Sequence, residues 1–348
     1  MNISAQEKIL FVRHLAMLLT SGIPILEGLQ ILSAQSKSKS FQKIITGVAG
    51  SVQNGSTLAK ALQKYPEAFD PFFIGIISVG ENSGTLDESL HYLQEHLEKT
   101  QALTRKISGA LLYPTLIVVA AIIAAGGIFL FVIPQLLNLF QQLDVPLPPV
   151  TQVFVAIALF LQSYGIALAI CIILIAILLR ISIHISWFKK MIDVIALRLP
   201  IVGPILENMS LTTTFRDIGI MMKSGLPITT ALSIAKQMAN QTVFAEYLQH
   251  MLTAVENGKS LAKELEEKQF AHIPLMSIKM LAVGEKTGKL DETCLYLADM
   301  FEQEVDDATR NMATLIEPTI LLVVGILVAF IALSIISPIY ELTGSIQP

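Results

Sequence analysis

The chain has 348 residues, a formal net charge of −4 at pH 7, and a composition that is 53% hydrophobic and only 15% charged. It is too apolar for an ordinary soluble protein, and without a basic stripe it is a poor candidate for binding nucleic acid. Its two cysteines, Cys171 and Cys294, form neither a metal-binding nor a disulfide pattern.

The first polar region, residues 1–106, is predicted to be a bundle of about six helices. Ser4 and Glu7 have the spacing of a capping box, in which two side chains satisfy backbone N–H groups at a helix start. Apolar residues then recur at helical spacing. The next helix boundary is marked by Gly22 and Pro24. Because glycine suits the end of one helix and proline the start of another, both residues are assigned structural roles at a corner.

A Gly-Glu turn, Gly80-Glu81-Asn82-Ser83-Gly84, precedes the long helix that ends this region. We interpret it as a corner bounded by Gly80 and Gly84, in which the Glu81 carboxylate accepts hydrogen bonds from local backbone N–H groups. The alternative is a surface that binds a partner or a cation, with Asp87 as a second source of oxygen ligands. Asp87 is equally well explained as a charge favoured in the first turn of a helix.

Three runs of the chain contain no Asp, Glu, Lys, Arg or His, and each exceeds the roughly 20 residues that cross a bilayer as a helix. These runs are Ile107–Leu143, Val145–Leu179 and Pro318–Tyr340. They predict transmembrane helices at 107–134, 151–180 and 314–338, with a short outer loop at 135–150 and a short outer tail at 339–348.

The second polar region, 181–313, consists of a linker and a repeat of the first region. The corner at Gly22 recurs 203 positions later, and the Gly-Glu turn recurs 204 positions later. An internal repeat of this kind defines the architecture, so a second bundle of about six helices is predicted. The repeated structural positions are Gly22, Pro24, Gly80, Gly84 and Pro114, with Gly225, Pro227, Gly284, Gly288 and Pro318 as their counterparts.

The second Gly-Glu turn contains Glu285 and is followed by Asp291, so the interpretations given for Glu81 and Asp87 apply to these residues as well. The turn looks only superficially like a phosphate-binding loop. Its glycines are too close together, and no Ser or Thr follows Lys289.

The basic residues indicate the orientation in the membrane. Arg105, Lys190 and Arg310 flank the predicted spans, whereas 135–150 and 339–348 contain no Lys or Arg. Because basic flanks stay on the cytoplasmic side, both polar regions and the N-terminus are predicted to be cytoplasmic and the C-terminus to lie outside. The unrepeated second span explains the odd number of spans, since it returns the chain for a second module in the same orientation.

Glu317, directly before Pro318, is the ionisable residue at a predicted span that invites a functional interpretation. Its counterpart in the first copy is Tyr113. In one interpretation Glu317 lies at the cytoplasmic interface, where its charge costs little. In the other it faces a neighbouring helix and pairs with a cation of a membrane partner, because intramembrane ionisable groups are usually functional.

We expect neither enzymatic activity nor a cofactor. The six histidines are not paired with carboxylates in both copies, and no nucleophile–base pattern stands out; most histidines are expected at the surface or half-buried. A small transporter built on a repeat is the alternative from another class, but the uncharged spans offer no solute path. A membrane sensor would need a larger outer domain than the predicted loop provides.

Taken together, the duplicated Ser-Gly-x-Pro and Gly-Glu-x-x-Gly motifs, the Tyr113-Pro114 and Glu317-Pro318 steps, and Leu147-Pro148 before the second span resemble the type II secretion system F family. The resemblance covers essentially the whole chain. It implies a multi-pass platform protein of the cell inner membrane, in contact with its lipid, that forms a homo-oligomer at the base of a pilus-like fibre.

The same resemblance implies the partners. They are a cytoplasmic assembly ATPase, pilin or pseudopilin subunits, and other inner-membrane assembly proteins. The family supplies no catalytic residues. Type IV pilus assembly is favoured over type II secretion, and a competence-type pilus is a third alternative.

Overall fold

The computed structural model describes residues 3–127, 186–200 and 202–345, with scattered positions between 156 and 178. Every regular element in these residues is a helix, which confirms the all-α prediction for this part of the chain.

The chain divides into two compact units. Unit 1 contains Met1–Lys106 and Lys190–Ala308, and unit 2 contains Ile107–Lys189 and Thr309–Pro348. Both copies of the polar repeat therefore belong to one compact unit, an arrangement that the sequence did not predict.

The helices of unit 1 correspond in pairs through the repeat. We call residues 1–106 module 1 and residues 202–308 module 2. The helices that begin in module 1 are α1 (Ala5–Thr20), α2 (Ile25–Gln35), α3 (Lys39–Gln53), α4 (Leu58–Gln63), α5 (Pro71–Ser83) and α6 (Leu86–Gly127). After the connecting helix α7 (Ser186–Arg198), those of module 2 are α8 (Val202–Lys223), α9 (Ile228–Met238), α10 (Thr242–Glu256), α11 (Leu261–Lys268), α12 (Leu275–Thr287) and α13 (Leu290–Ser345). Each module has six helices.

Three corners of each module end a helix in the same way. At the first, the backbone N–H of Ile23 donates to the carbonyl of Leu18 at 3.0 Å, five residues earlier. This helix end requires a left-handed residue just before Ile23, a conformation that favours glycine. The glycines with positive φ in the described residues are three repeat pairs, Gly22 with Gly225, Gly55 with Gly258, and Gly84 with Gly288.

The two modules pack directly on each other. Helix α5 lies against α8 and α9. A Cβ atom added to Gly75 of α5 would lie only 3.0 Å from Cδ1 of Ile234 and 3.5 Å from Cδ2 of Leu226, so glycine permits the close approach of the helices. Buried apolar residues of both modules form one continuous core.

One described helix is long and apolar enough to cross a membrane, the part of α6 over Leu86–Ala124. Its side chains Ile122 and Ile123 are 65% and 68% exposed, as expected of a surface that contacts lipid rather than a protein core. The third predicted span, 314–338, lies within α13. The second, 151–180, lies mostly outside the described residues, as does all of the loop 135–150, so a total of three spans stays a prediction.

Helix α8 is also apolar, and with α7, from which it is bent by 112°, it has the composition of a broken span. Its packing explains its composition differently. Leu211, Phe215 and Met221 are buried in the core of unit 1, and the same helix carries the buried ionisable residues Arg216 and Asp217. The apolar residues of α8 therefore serve protein packing.

Candidate functional site: the capped corners and the junction between the modules

The Gly-Glu turn of module 1 connects two corners that are distant in sequence. The Glu81 carboxylate accepts hydrogen bonds from the backbone N–H groups of Leu58 at 2.6 Å and Ala59 at 3.1 Å, at the start of α4. The Thr57 hydroxyl accepts from the N–H of Lys60 at 3.3 Å. The first N–H groups of a helix lack intrahelical partners, and the helix dipole favours a negative charge there. Glu81 therefore fastens the start of α4 to the end of α5.

Module 2 repeats this arrangement. The Glu285 carboxylate accepts from the N–H groups of Leu261 at 2.9 Å and Ala262 at 3.1 Å, and from the Ser260 hydroxyl at 2.6 Å. In both modules the bound N–H groups lie 22 to 24 residues upstream of the glutamate. They belong to another helix start and not to the turn itself.

Gly80 and Gly284 allow the next helix to cross close to the turn. A Cβ atom at Gly80 would collide with the Ser89 hydroxyl, and one at Gly284 would collide with the Thr293 hydroxyl. Ser89 and Thr293 are themselves repeat counterparts. The first glycine of each motif is thus required by packing, and the second, Gly84 or Gly288, by its positive φ.

Asp87 and Asp291 lie in the first turns of α6 and α13, where the helix dipole favours a negative charge. Within the described ranges, no group of three or more His, Cys, Asp or Glu side chains is placed to hold a metal ion. Glu81 and Glu285 are already engaged with backbone N–H groups. Cation binding at these turns stays a prediction.

The repeated prolines occupy two kinds of position. Pro24 and Pro227 directly precede α2 and α9, whereas Pro114 and Pro318 lie inside α6 and α13. Glu317 also lies in α13, but its side-chain surroundings are outside the described part of the structure, so both interpretations of this residue stay predictions.

Helices α6 and α13 run in the same direction along the junction. Lys99 Nζ lies 3.5 Å from Asp299 Oδ1, and Lys106 Nζ lies 2.8 Å from Asp306 Oδ2. The partners are 200 residues apart in both pairs. Moving about two helical turns along α6, from Lys99 to Lys106, therefore matches an equal move in the same chain direction along α13. Only parallel helices give this relation.

A second ion pair is duplicated but differently covered. Arg13 bonds Glu98 at 2.6 Å in module 1, and their counterparts Arg216 and Glu302 bond at 2.6 Å in module 2. The Arg13 side chain is 49% exposed, whereas that of Arg216 is 3% exposed. The same bridge thus lies at the surface of one module and is covered in the other.

His96 of α6 faces Asp217 of α8 across the junction. Nδ1 of His96 lies 3.4 Å from Oδ1 of Asp217, both side chains are buried, and neither atom has a hydrogen-bond partner among the described residues. Burial, aided by the charge of Arg216, lowers the pKa of His96 to about 3, and burial raises the pKa of Asp217 well above its usual range. Burial therefore favours the uncharged forms of both side chains.

A cavity of about 400 Å³ adjoins this pair and is lined from both modules, by His96 and Thr100 of α6 and by Thr213 and Asp217 of α8. Sequence reasoning missed this junction and placed most histidines nearer the surface. One signal was available in the repeat. A titratable residue with a chemically different counterpart, such as His96 against Met300, marks a position where the two copies have different surroundings.

Comparison with known proteins finds one family in both copies of the repeat. The family described as "Type II secretion system (T2SS), protein F" matches the chain at residues 11–134 and again at 214–338. The two matches contain the Gly-Glu turns and the α6 and α13 sides of the junction.

Relatives with assigned names match almost the whole chain. The type IV pilus assembly protein PilC of Myxococcus xanthus is 29% identical over 345 residues, which is 99% of this chain and 82% of the relative. PilC of Pseudomonas aeruginosa is 30% identical over 335 residues, with 96% and 89% covered. The type II secretion system protein F of Vibrio cholerae is 30% identical over 351 residues, with 98% and 84% covered. Since both copies of the repeat match the family and the relatives extend along nearly the full chain, this protein belongs to the type II secretion system protein F family.

Proposed function

We propose that the chain is a homo-oligomeric platform protein of the cell inner membrane in type IV pilus biogenesis, where it couples a cytoplasmic assembly ATPase to the insertion of pilin subunits into the fibre. Membership of the family and the pilus-assembly names of two relatives support this function. Other inner-membrane assembly proteins are the remaining partners in this proposal. The chain has no catalytic role in it and uses no cofactor.

The observation that carries the proposal is the parallel pairing of α6 and α13 within one compact unit. A single motor on one side of the membrane can act on both modules only if their spans have the same direction. In the proposed topology the modules and the N-terminus are cytoplasmic and the C-terminus lies outside. Continuous helices of 42 residues (α6) and 56 residues (α13) pass movement of unit 1 to the apolar segments without an intervening loop.

A type II secretion platform acting on pseudopilins is the second candidate. It is favoured by the protein F relative of Vibrio cholerae, whose identity to this chain equals that of a pilus relative. A small repeat-built transporter is more remote, because the apolar runs contain no charged groups to line a solute path.

The test is deletion of the gene in the source bacterium with complementation by the full chain. Loss of surface pili with normal protein secretion, together with co-purification of an assembly ATPase, is the expected result. Loss of secretion with normal pili favours the second candidate. Normal pili and normal secretion would overturn both.

A further inference from the structure

The junction between the modules is made by two different surfaces. Surface A of module 1 lies on α5 and α6, and surface B of module 2 lies on α8, α9 and the corner between them. Surface A consists of Gly75, Val79, Tyr92, His96 and Thr100, and surface B of Asp217, Lys223, Gly225, Leu226 and Ile234. Contacts between them include the Lys223 ammonium 5.4 Å from the centre of the Tyr92 ring, and the Val79 methyl 3.6 Å from a Cβ added at Gly225.

Because the modules are copies, each surface occurs twice, but each is covered only once. The counterpart of surface A on module 2, surface A′, consists of Lys279, Val283, Tyr296, Met300 and Glu304. Val283 and Tyr296 are 62% and 60% exposed, whereas Val79 and Tyr92 in surface A are half-buried. Surface A′ is therefore an uncovered version of a surface that is already an interface in module 1.

The counterpart of surface B on module 1, surface B′, consists of His14, Thr20, Gly22, Ile23 and Ile31. Beside it Met17 is 57% exposed, whereas its counterpart in module 2, Ile220, is only 6% exposed. Surface B′ is thus the uncovered version of the surface that module 1 covers on module 2.

The uncovered version of the junction cavity adjoins surface B′ and shares His14 with it. A groove of about 300 Å³ on module 1 is lined by Leu10, His14, Gln35 and Lys37 among others. Their counterparts Thr213, Asp217, Met238 and Asn240 all line the 400 Å³ cavity that His96 and Thr100 close. His96 and Thr100 of α6 line the cavity. Among the described residues of unit 1, no side chain of α13 lines the groove.

We propose that surface A′ of one chain docks on surface B′ of a second copy of the same chain and reproduces between chains the junction that exists within each chain. The occupant follows from continuity with the existing interface, because a second copy carries both surfaces. The contact is heterologous, since different patches meet, so it can continue from copy to copy, and it forms a ring if the rotation between successive copies closes.

The direction of the long helices is compatible with this assembly. Within one chain the contact sets α6 parallel to α13. Repeating the same contact sets α13 of one copy parallel to α6 of the next. Every copy then keeps the same direction, as proteins that share one membrane orientation require.

The side chains at the proposed contact are complementary. Met300 takes the place of His96 and would meet His14 instead of Asp217, so no buried titratable pair is formed. Glu304 takes the place of Thr100, and Lys37 takes the place of Asn240. Since Thr100 and Asn240 line one cavity, the docked copies would place Glu304 and Lys37, with opposite charges, on the walls of the corresponding space.

One position differs in a way that weakens the contact. Lys279 replaces Gly75, so the helices cannot approach as closely there as they do at Ile234. A lysine keeps its ammonium at the rim of an interface by extending along the apolar surface. Glu27, exposed on α2 one turn before Ile31, lies on the same face of the helix as Ile31 and carries the opposite charge.

The inference rests on the proposed function only in taking the platform to be oligomeric, and it is independent of the fibre that is served. Its test is chemical cross-linking of the full chain in its own membrane, with Cys171→Ala as the background and buried Cys294 retained. Thr20→Cys and Tyr296→Cys are placed on separately tagged copies of the chain. Because these side chains correspond to a long lysine and a tyrosine, their Cα atoms are too far apart for a direct disulfide, and a short bis-maleimide is the probe.

A cross-linked species with the mass of two chains is expected for this pair. Replacing Tyr296→Cys by Glu267→Cys, an exposed position outside both surfaces, should abolish the product. Lys223→Cys with Tyr92→Cys in one chain is the positive control. These two cysteines should be cross-linked within the chain, so the product should remain at the mass of a single chain. Reaction of the control pair together with no product from Thr20→Cys and Tyr296→Cys would overturn the inference.

Charge reversal gives a second, independent measurement. Lys37→Glu or Glu304→Lys on otherwise cross-linkable chains should lower the yield several-fold, and the two changes on opposite partners should restore it. Both residues are exposed, so folding is preserved. Absence of the cross-link in piliated cells overturns this inference and leaves the proposed function intact. A full cross-link yield with no effect of gene deletion on pili or secretion supports this inference and overturns the proposed function.

Discussion

Arg216 and Glu302 form an ion pair of 2.6 Å in which the arginine side chain is only 3% exposed, although the same pair in module 1, Arg13 with Glu98, lies at the surface. The two pairs share residue types and bond length, and their separations in sequence, 85 and 86 residues, differ by one. They differ in their exposure to solvent, so substituting each arginine compares the same ion pair in exposed and buried surroundings.

Arg216→Ala is expected to destabilise the folded chain by about 3 kcal/mol, because removal of one partner leaves the other charge poorly solvated. Arg13→Ala is expected to cost about 0.5 kcal/mol, as for exposed ion pairs. Denaturant unfolding of the detergent-solubilised full chain measures both. Equal effects of the two substitutions would contradict the difference in burial.

Glu81→Gln is expected to destabilise the start of α4 by about 1 to 2 kcal/mol, because the amide keeps one acceptor and loses the charge that the helix end favours. Hydrogen exchange followed by mass spectrometry should show faster exchange of the Leu58 and Ala59 amides. Glu88→Gln, an exposed change nearby, serves as the control. Unchanged protection of the two amides in Glu81→Gln would show that the carboxylate does not hold this helix.

These corners show what sequence could and could not provide. The duplicated glycines, with the residues that follow them, were sufficient to predict helical corners at Gly22 and Gly84, because a left-handed helix end has a strong residue preference. The partner of Glu81 could not be predicted in the same way. Its hydrogen bonds reach a helix start 22 and 23 residues away, and sequence spacing alone does not show which corners meet in space.

The junction was hidden for a related reason. His96 and Asp217 come from different copies of the repeat and have unlike counterparts, so neither copy alone suggests a pair. The unrepeated helix α7 adds a contact to module 2 that module 1 has no equivalent helix to make. In this contact the Asp193 carboxylate of α7 accepts a hydrogen bond from the Thr242 N–H at 2.7 Å. Periodicity predicts helices, but contacts between modules depend on their relative placement.

The free energy of unfolding of Asp217→Asn is expected to increase relative to that of the unaltered chain as the pH rises. Burial raises the pKa of Asp217 in the folded state above 3.8, so the folded chain binds this proton more tightly than the unfolded chain does. The resulting contribution is complete below pH 3.8 and is lost as the pH rises through the folded pKa. Unfolding free energies at several pH values provide the measurement, and a difference that does not vary with pH would contradict the raised pKa.

His96→Met has the opposite pH dependence and uses the residue found at the corresponding position of module 2. The pKa of His96 falls from 6.5 to about 3 on folding, so the unfolded chain binds this proton first. Stability from the neutral imidazole is present above pH 6.5 and is lost as the pH falls toward 3. The His96→Met chain should therefore gain stability relative to the unaltered chain as the pH falls from 6.5 toward 3. A constant difference over the same interval would show that His96 titrates normally.

The parallel register of α6 and α13 predicts a specific pattern of cross-links. Cysteine pairs at Lys99 with Asp299, and at Lys106 with Asp306, should both react with a short bis-maleimide within one chain. The mixed pair of Lys99 with Asp306 should react far less, because two helical turns add about 10 Å along the helix axis. A mixed pair that reacts as well as the matched pairs would contradict the register.

At Glu317 the two copies differ most sharply at the start of a predicted span, since the first copy has Tyr113 there. Glu317→Gln keeps the size of the side chain and removes its charge. If the carboxylate pairs with a cation of a membrane partner, assembly of the fibre should fall at least tenfold while the chain remains folded and inserted, since truncating one side of a buried charge pair costs about 2 kcal/mol or more.

Glu317→Asp, which retains the charge, should restore part of the assembly, and Glu341→Gln in the predicted outer tail should have no effect. Pili are counted on complemented cells, and insertion is followed by labelling a cysteine placed at Asp144, which the proposed topology exposes only to the outside. Normal assembly in Glu317→Gln would leave the interfacial interpretation. Tyr113, uncharged at the same point of the first copy, would then indicate that neither module needs a charge where its long helix is predicted to meet the membrane.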